Sequence, residues 1–399
     1  MQQSVRQEEE QIKKMKFLEQ IQKYTPVEWK RLGEVANLKR GETITAKNKT
    51  EGAIPVIGGG QKPAYHTAEY NREGETITIA GSGTAGYVSY WNEPIFVSDA
   101  FSVKPNLSIL SVRYVFHFLL KHQGWIYNLK RGAGISHVYP KDLANFLIPV
   151  PPLRVQQEIV RILDTFTRLI AELTAELTAR KKQYNYYLYQ LFSFEEENVD
   201  WRPLGDIGEV CMCKRILKEQ TSDIGEIPFY KIGTFGKEPN AYISKELFNE
   251  YKSKYNYPNV GEVLISASGT IGRAVIFNGR NAYFQDSNIV WIKNDENQVL
   301  NKYLFYFYQI AEWKIAKGGT IQRLYNDNLK KTKIPVPYPN DSKRSLEEQK
   351  RIITILDKFD TLTTSISKGL PREIELRKKQ YAYYREQLLD FPGKKEMNK

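Results

Sequence analysis

Apolar residues recur along this chain with two different periods. In one stretch Ile159, Ile162, Phe166, Leu169, Leu173, Leu177, Tyr184, Tyr187 and Leu191 follow one another mostly at intervals of three and four. In a second, Ile352, Leu356, Phe359, Leu362, Ile366, Leu370, Ile374, Tyr381, Tyr384 and Leu388 do the same. Such spacing lays one apolar seam along a helix, with a period near 3.5 residues. Each helix is predicted to run for about 40 residues and to span ~60 Å. A seam of that length requires cover, and the expected solution is that the two helices pair with each other, antiparallel about a pseudo-twofold axis. The second contains Gly369-Leu370-Pro371, and Arg377 lies 20 residues beyond Asp357 where Arg180 lies 16 beyond Asp164. A break or kink is expected there.

Elsewhere the pattern alternates. Glu75-Thr76-Ile77-Thr78-Ile79-Ala80 and Glu262-Val263-Leu264-Ile265-Ser266-Ala267 read as strands, as do Ile54-Pro55-Val56-Ile57 and Ile227-Pro228-Phe229-Tyr230. The first pair runs into glycine turns, Gly81-Ser82-Gly83-Thr84-Ala85-Gly86 and Ser268-Gly269-Thr270-Ile271-Gly272-Arg273. Each turn leads to another apolar strand (87–91 and 274–277), which predicts a hairpin in each place. Aromatic-rich helical segments follow at 112–120 and 300–311. Then comes a second glycine loop, Lys130-Arg131-Gly132-Ala133-Gly134-Ile135-Ser136-His137-Val138-Tyr139 or Lys317-Gly318-Gly319-Thr320-Ile321-Gln322-Arg323-Leu324-Tyr325. Both lead to a proline-marked strand, Ile148-Pro149-Val150-Pro151-Pro152 or Ile334-Pro335-Val336-Pro337, that closes a globule and introduces a helix.

The same order thus occurs twice. The entry segments Val27-Glu28-Trp29-Lys30-Arg31-Leu32-Gly33 and Val199-Asp200-Trp201-Arg202-Pro203-Leu204-Gly205 correspond. Arg180-Lys181-Lys182-Gln183-Tyr184-Asn185-Tyr186-Tyr187 is echoed by Arg377-Lys378-Lys379-Gln380-Tyr381-Ala382-Tyr383-Tyr384; carried on to Phe194 and Phe391, these windows agree at 10 of 15 positions. Agreement at the ends of two matching seams indicates a duplicated architecture. Many short strands with a few helices place each globule in the α+β class.

At 399 residues the chain exceeds what one hydrophobic core supports. Lys and Arg number 58 against 46 Asp and Glu, a net charge of +12 that favours a polyanionic partner without separating DNA from RNA or anionic lipid. No stretch approaches the roughly 18 apolar residues of a membrane span, and the first residues are charged throughout, so a cytoplasmic protein without a secretory signal is expected. Residues 1–26 have helix-like spacing (Ile12, Met15, Leu18) but no second copy, and no role is assigned to them. Cys211 and Cys213 fall on one face of a strand-like run; with no second pair to complete four ligands they read as two small, semi-buried residues rather than as zinc ligands.

Catalytic chemistry is hard to find. Gly81-x-Gly83-x-x-Gly86 formally matches a dinucleotide fingerprint, but a strand follows it where a helix is required, and the other half has Ala267 in place of the first glycine. Neither a GxxxxGK[ST] phosphate loop nor an Asn/Asp-Pro-Pro-aromatic tetrapeptide of the amino-methyltransferase kind occurs. His66, His117, His122 and His137 are scattered without partners at ligand or triad spacing and are expected at the surface or in the core. Glu348-Gln349-Lys350 resembles part of a nuclease signature, yet lies on the surface of the predicted coiled coil with no companion acid on a nearby strand, and reads as a solvated helix face. What remains suits DNA reading by two basic globules, with lysines and arginines on phosphates and loop side chains on base edges. The candidates are Ser82, Thr84, Lys130, Arg131, Ser136, His137 and Tyr139 in the first half, and Ser268, Thr270, Arg273, Lys317, Gln322, Arg323 and Tyr325 in the second. Gln322 and Arg323 carry groups that pair bidentately with adenine and guanine, where Ser136 and His137 hold the matching places, so unlike half-sites are expected.

Over residues 27–391 the chain resembles the specificity subunit of type I restriction-modification systems. The resemblance rests on the entries around Trp29 and Trp201, the Ser-Gly-Thr turns at Ser82 and Ser268, the Ile-Pro-Val-Pro exits, and the helix starts Gln157-Glu158-Ile159-Val160-Arg161-Ile162-Leu163-Asp164 and Glu348-Gln349-Lys350-Arg351-Ile352-Ile353-Thr354-Ile355-Leu356-Asp357. It implies two target recognition domains, 27–152 and 195–346, each reading half of a bipartite, asymmetric site on double-stranded DNA. Two long helices, 153–194 and 347–391, would form an antiparallel coiled coil that sets the unread spacer, with 1–26 a leader and 392–399 a tail. The resemblance further implies a non-catalytic chain that binds no cofactor itself. Two modification subunits would use S-adenosylmethionine to methylate adenine, and restriction subunits would translocate and cleave with ATP and magnesium. Arg180, Lys181, Tyr184 and Tyr187, with Arg377, Lys378, Tyr381 and Tyr384, form two equivalent patches suited to holding two identical partners. A stand-alone methyltransferase or nuclease lacks its motifs here, and an adaptor that never touches DNA would have no use for two elaborated globules.

Overall fold

The computed structural model describes residues 27–45, 50–315, 322–365 and 367–392. The leader 1–26, Lys317 and the rest of 316–321, Ile366 and residues 393–399 lie outside them. Contacts divide the chain into two units, Met1–Thr174 with Glu373–Lys399, and Ala175–Arg372. The division therefore cuts through both helical stretches instead of falling at their ends. The principal helices are α1 (Val112–Lys121), α2 (Leu153–Leu191), α3 (Asn301–Phe307), α4 (Ser342–Thr364) and α5 (Leu370–Leu388).

In the first unit β1 (Glu28–Arg31) is followed by β2 (Ala36–Arg40), β3 (Ile54–Ile57), β4 (Tyr65–Thr67), β5 (Glu75–Ala80), β6 (Val88–Asn92), β7 (Phe96–Val97), β8 (Ala100–Pro105) and β9 (Leu147–Val150). They form an antiparallel sheet in the order β2-β8-β5-β6, a smaller sheet β4-β3-β7 with a parallel β3–β7 pair, and a ribbon β1–β9 in which Trp29 lies opposite Pro149. β5 is β-branched from Thr76 to Ile79, alternating polar and apolar: Ile77 and Ile79 enter the core, and Thr78 Oγ1 on the other face accepts from Trp91 Nε1 at 2.8 Å. Ser111 caps α1, its side chain accepting from the Tyr114 amide at 3.1 Å, and α1 presses Val115, Phe118 and Leu119 onto the sheet. The core is closed by Ile159 and Leu163 of α2 and by Leu388, Leu389 and Phe391 from the far end of the chain.

The second unit repeats this plan. β10 (Val199–Pro203), β11 (Gly208–Met212), β12 (Ile227–Tyr230), β13 (Tyr242–Ile243), β14 (Val263–Ser266), β15 (Ala274–Ile276), β16 (Tyr283–Phe284), β17 (Ile289–Asn294) and β18 (Lys333–Pro337) give sheets β11-β17-β14-β15 and β13-β12-β16 and a ribbon β10–β18 with Trp201 opposite Pro335. The predicted hairpins are β5–β6 and β14–β15. Leu188 and Phe192, from the end of α2, close this core together with Ile352 and Leu356 of α4. The helix expected at 300–311 is shorter: α3 stops at Phe307, and the buried Tyr308 ring packs against Trp313 at 5.5 Å. Cys211 and Cys213 are fully rather than partly buried, and burial pushes the Cys213 thiol up to about 12. The expected helix break lies between Thr364 and Leu370.

A ring contact between seam residues lies within each unit. Phe166 of α2 stacks on Tyr384 of α5 at 5.1 Å, and Tyr187 of α2 stacks on Phe359 of α4 at 5.5 Å. One polar residue in each unit is a departure. Gln156 is fully buried: its Oε1 accepts from the Ser111 amide at 2.8 Å, and its Nε2 donates to Ile109 O at 2.7 Å and Pro151 O at 2.8 Å. Gln349, expected on a solvated face, is equally buried and does the corresponding work. It accepts from the Leu300 amide at 2.9 Å and donates to Gln298 O at 3.0 Å and Ser345 Oγ at 3.2 Å. Of its neighbours Lys350 is exposed, while Glu348 is half-buried and paired with Arg351. Each glutamine thus pins the start of a helix on the sheet to the start of a seam helix. Gln156→Leu or Gln349→Leu strands a buried amide and two buried carbonyl or hydroxyl acceptors, and is expected to cost about 2 kcal/mol, read as an earlier denaturant midpoint for the unit concerned.

Candidate nucleic-acid interface

Each unit brings its two glycine loops together through one main-chain bond. In the first, the Val138 amide donates to Gly81 O at 3.0 Å; in the second, the Leu324 amide donates to Ala267 O at 2.8 Å. Separate sequence signals some fifty residues apart therefore form one surface in each unit. The turns are held by backbone that needs glycine. Gly83 has φ +58° and Gly269 φ +64°, and a Cβ on Gly83 would lie 2.8 Å from Gly59 O.

Within this surface the predicted residues divide into those that hold the loops and those left outward. Ser82 donates to Asp99 Oδ2, and Thr84 donates to Gly59 O through both its hydroxyl and its amide, each at 2.8 Å. Ser268 is buried and donates to Asn288 Oδ1 at 2.7 Å, and Arg273 Nη1 donates to Phe235 O at 2.9 Å. These four groups are engaged inside the protein. Lys130 is exposed above the Tyr127 ring, at 4.6 Å, and Arg131 is exposed beside Asp142, to which it is paired. His137 stacks on Tyr139 at 5.9 Å, next to the half-exposed Ser136. Thr270, Gln322, Arg323 and Tyr325 are exposed, and Arg323 reaches an open cleft of about 360 Å³ shared with Arg215, Lys218 and Lys231. Lys317 lies outside the described residues.

The structure adds a third loop that the sequence reading missed. Asp99 and Asn288 precede β8 and β17 and receive the Ser82 and Ser268 hydroxyls, tying a further connection to each glycine turn. The second of these loops contains Ser287 with φ +53°, a left-handed conformation rare outside glycine, and Asp286 in it accepts from Arg215 Nε at 2.9 Å. A visible signal existed, since an acid or amide stands one residue before the matching strand in both halves. Among the described residues no group of His, Cys, Asp and Glu has the makings of a metal site.

The repeated Arg-Lys-Lys-Gln-Tyr motifs turn out to have two faces. Tyr184 and Tyr381 point inward: Tyr184 donates to Gln309 Oε1 at 2.9 Å, and the Tyr381 hydroxyl lies 2.9 Å from His117 Nδ1. Tyr187 and Tyr384 stack on seam phenylalanines, while Arg180 and Arg377 pair with Glu176 and Glu373 along their own helices. Outward stand Lys181 and Lys378, joined by Tyr186, Tyr189 and Tyr383. His117 is not a stray histidine. It is fully buried, with Nε2 2.7 Å from Asp164 Oδ1, and Arg113 Nε donates to both oxygens of the same carboxylate at 3.1 Å. In the second unit Lys302, Tyr306 and Asp357 take the places of Arg113, His117 and Asp164, with Lys302 Nζ 2.6 Å from Asp357 Oδ2 and the Tyr306 hydroxyl on its Oδ1.

The chain as a whole is similar to known proteins. A sequence family described as the type I restriction modification DNA specificity domain matches the chain twice, over residues 26–180 and 196–376. The chain belongs to this family of type I restriction-modification specificity subunits. It is 51% identical over 389 residues to a putative type I restriction enzyme specificity subunit of Haemophilus influenzae, covering 94% of this chain and 98% of that one. It is 31% identical over 421 residues to the EcoR124I/EcoR124II specificity subunit of Escherichia coli, covering 96% and 98%. Among solved structures, the S subunit of a type I restriction-modification system from M. genitalium has the same fold, with a TM-score of 0.61 at 17% identity over 93% of this chain and 98% of that one.

The buried histidine makes the first unit sensitive to acid. Burial holds the His117 pKa below 6.5 against the opposing pull of Asp164. Burial also opposes the Asp164 carboxylate, but the hydrogen bonds from His117 and Arg113 outweigh it and keep that pKa below 3.8. Neutral His117 therefore donates from Nε2 to ionised Asp164 and accepts from Tyr381 at Nδ1. Both folded pKa values are depressed, so in both cases the unfolded chain takes up protons first and stability is lost as pH falls. The histidine contribution is complete above pH 6.5 and declines below it. The Asp164 contribution declines only below about pH 4. His117→Gln, which keeps one donor and one acceptor without titrating, is expected to flatten the dependence of the first unit's unfolding temperature between pH 7.5 and 5.5 while leaving the steep loss near pH 4.

Proposed function

We propose that the chain reads a split, asymmetric site on double-stranded DNA, one half-site per unit, and directs partner subunits to methylate or cleave. One observation carries this reading: in each unit two corresponding hydrogen bonds join three loop segments, with different side chains outward, Ser136 and His137 in one unit and Gln322 and Arg323 in the other. A shared framework bearing unlike donors suits two unlike sequences. The net charge of +12, with exposed Lys130, Arg131, Arg323 and the basic cleft, supports phosphate contact.

α2 and the α4–α5 pair set the unread spacer by lying antiparallel as a coiled coil, which the Phe166–Tyr384 and Tyr187–Phe359 contacts support. Two modification subunits dock on the repeated Arg-Lys-Lys-Gln-Tyr patches through the outward lysines and tyrosines, and restriction subunits join them. S-adenosylmethionine, ATP and magnesium belong to those partners. The chain acts in the cytoplasm, and in keeping with this no described helix is long and apolar enough to cross a membrane.

Mapping methylated adenines with and without this chain is expected to show a split motif with two unlike halves. A continuous or palindromic motif would contradict the reading. Replacing Gln322 and Arg323 together by alanine is expected to relax one half-site by about 1–3 kcal/mol of discrimination and leave the other unchanged. Competition binding with duplexes altered in one half-site at a time measures this, and equal loss at both halves would refute the assignment.

A further inference from the structure

Between Arg131 and His137, whose main chains exchange hydrogen bonds of 2.9 and 2.8 Å in a single β-bridge, residues 132–136 make a narrow finger-like loop. Its shape depends on glycine. Gly132 has φ +118°, and a Cβ there would lie 2.8 Å from Ile135 O. The finger is rooted on both sides: Val138 is buried and bonded to Gly81, and Arg131 pairs with Asp142, which is almost fully buried. At its tip stands Ile135, 68% exposed.

A lone exposed apolar residue needs no explanation on an ordinary surface. This one is held out on a preorganised loop, among the cations and hydrogen-bonding groups proposed above to meet DNA. The sequence also repeats it: Ile135-Ser136-His137-Val138-Tyr139 corresponds to Ile321-Gln322-Arg323-Leu324-Tyr325, so the isoleucine recurs where the two residues after it change. Ile321 lies outside the described residues.

We propose that Ile135 is a specificity-determining residue that packs on the C5-methyl group of a thymine in the major groove. The inference rests on the DNA-reading assignment above. Base edges in that groove present donors, acceptors and one apolar group, the thymine methyl, and a groove wide enough for a two-stranded ribbon has room for a loop closed by a single bridge. A branched aliphatic side chain gains nothing from the polar edges, because it would displace water without replacing its hydrogen bonds. Ser136 and His137, beside it, remain free to address the neighbouring polar edge.

The test uses the full-length chain and duplexes carrying its split site. Each thymine in the half-site that is insensitive to the Gln322 and Arg323 replacement is changed singly to deoxyuridine, which lacks only the methyl. One such change is expected to weaken binding by about fourfold, the worth of one buried methyl group. Ile135→Ala binds the thymine duplex correspondingly more weakly and no longer responds to that deoxyuridine, while its unfolding temperature stays at the wild-type value because the side chain is exposed. Deoxyuridine in the other half-site affects both proteins alike. A half-site without thymine, no deoxyuridine effect in the wild type, or an Ile135→Ala protein that keeps the full effect would each overturn the inference while leaving the DNA-reading assignment standing. Failure of the wild type to prefer the split site would remove both.

Discussion

Neither half of this chain completes its own core. The sheet and α1 of the first unit expose an apolar edge that Leu388, Leu389 and Phe391 cover, and the second unit depends in the same way on Leu188 and Phe192. The same segments carry the repeated tyrosines, so the groups that finish each core also deliver Tyr381 to His117 and Tyr184 to Gln309. Burial of apolar surface supplies the drive, and the hydrogen-bonded pairs fix the register at which it occurs. The seam helices are therefore part of each folding unit and not connectors between finished ones.

On that base the surface proposed to meet DNA separates framework from tip. Ser82, Thr84 and Ser268 have the right chemistry to address bases, yet their hydroxyls tie loop to loop. What remains outward is a short set at the crest: Ser136, His137 and Ile135 in one unit, Gln322, Arg323 and Tyr325 in the other. Preorganisation of this kind lowers the entropy lost when a partner is engaged.

Much of the architecture could be read from spacing and repetition. The 3.5-residue seam located α2, α4 and α5, the alternating runs located β5 and β14, and Gly369-Leu370-Pro371 marked the break. Two kinds of feature were hidden. Gln156 and Gln349 look like solvated helix residues because their burial is decided by carbonyls that the fold brings in from about 50 residues away. His117 looked isolated because its partners, Asp164 and Tyr381, are 47 and 264 residues distant. The partners of the Ser82 and Ser268 hydroxyls were hidden for the same reason: a hydroxyl's partner depends on tertiary neighbours, and sequence pattern records periodicity and not proximity.

The order of synthesis gives the exchanged helix ends a further meaning. At translation rates of about 5–20 residues per second, the first unit emerges many seconds before the segment that seals it. Trp29 donates to the carbonyl of Pro392 at 3.0 Å, a bond that exists only once synthesis has passed residue 392. A chain whose synthesis stops before Leu388 therefore keeps an open apolar edge on its first unit, the kind of surface that makes an unfinished polypeptide prone to aggregate.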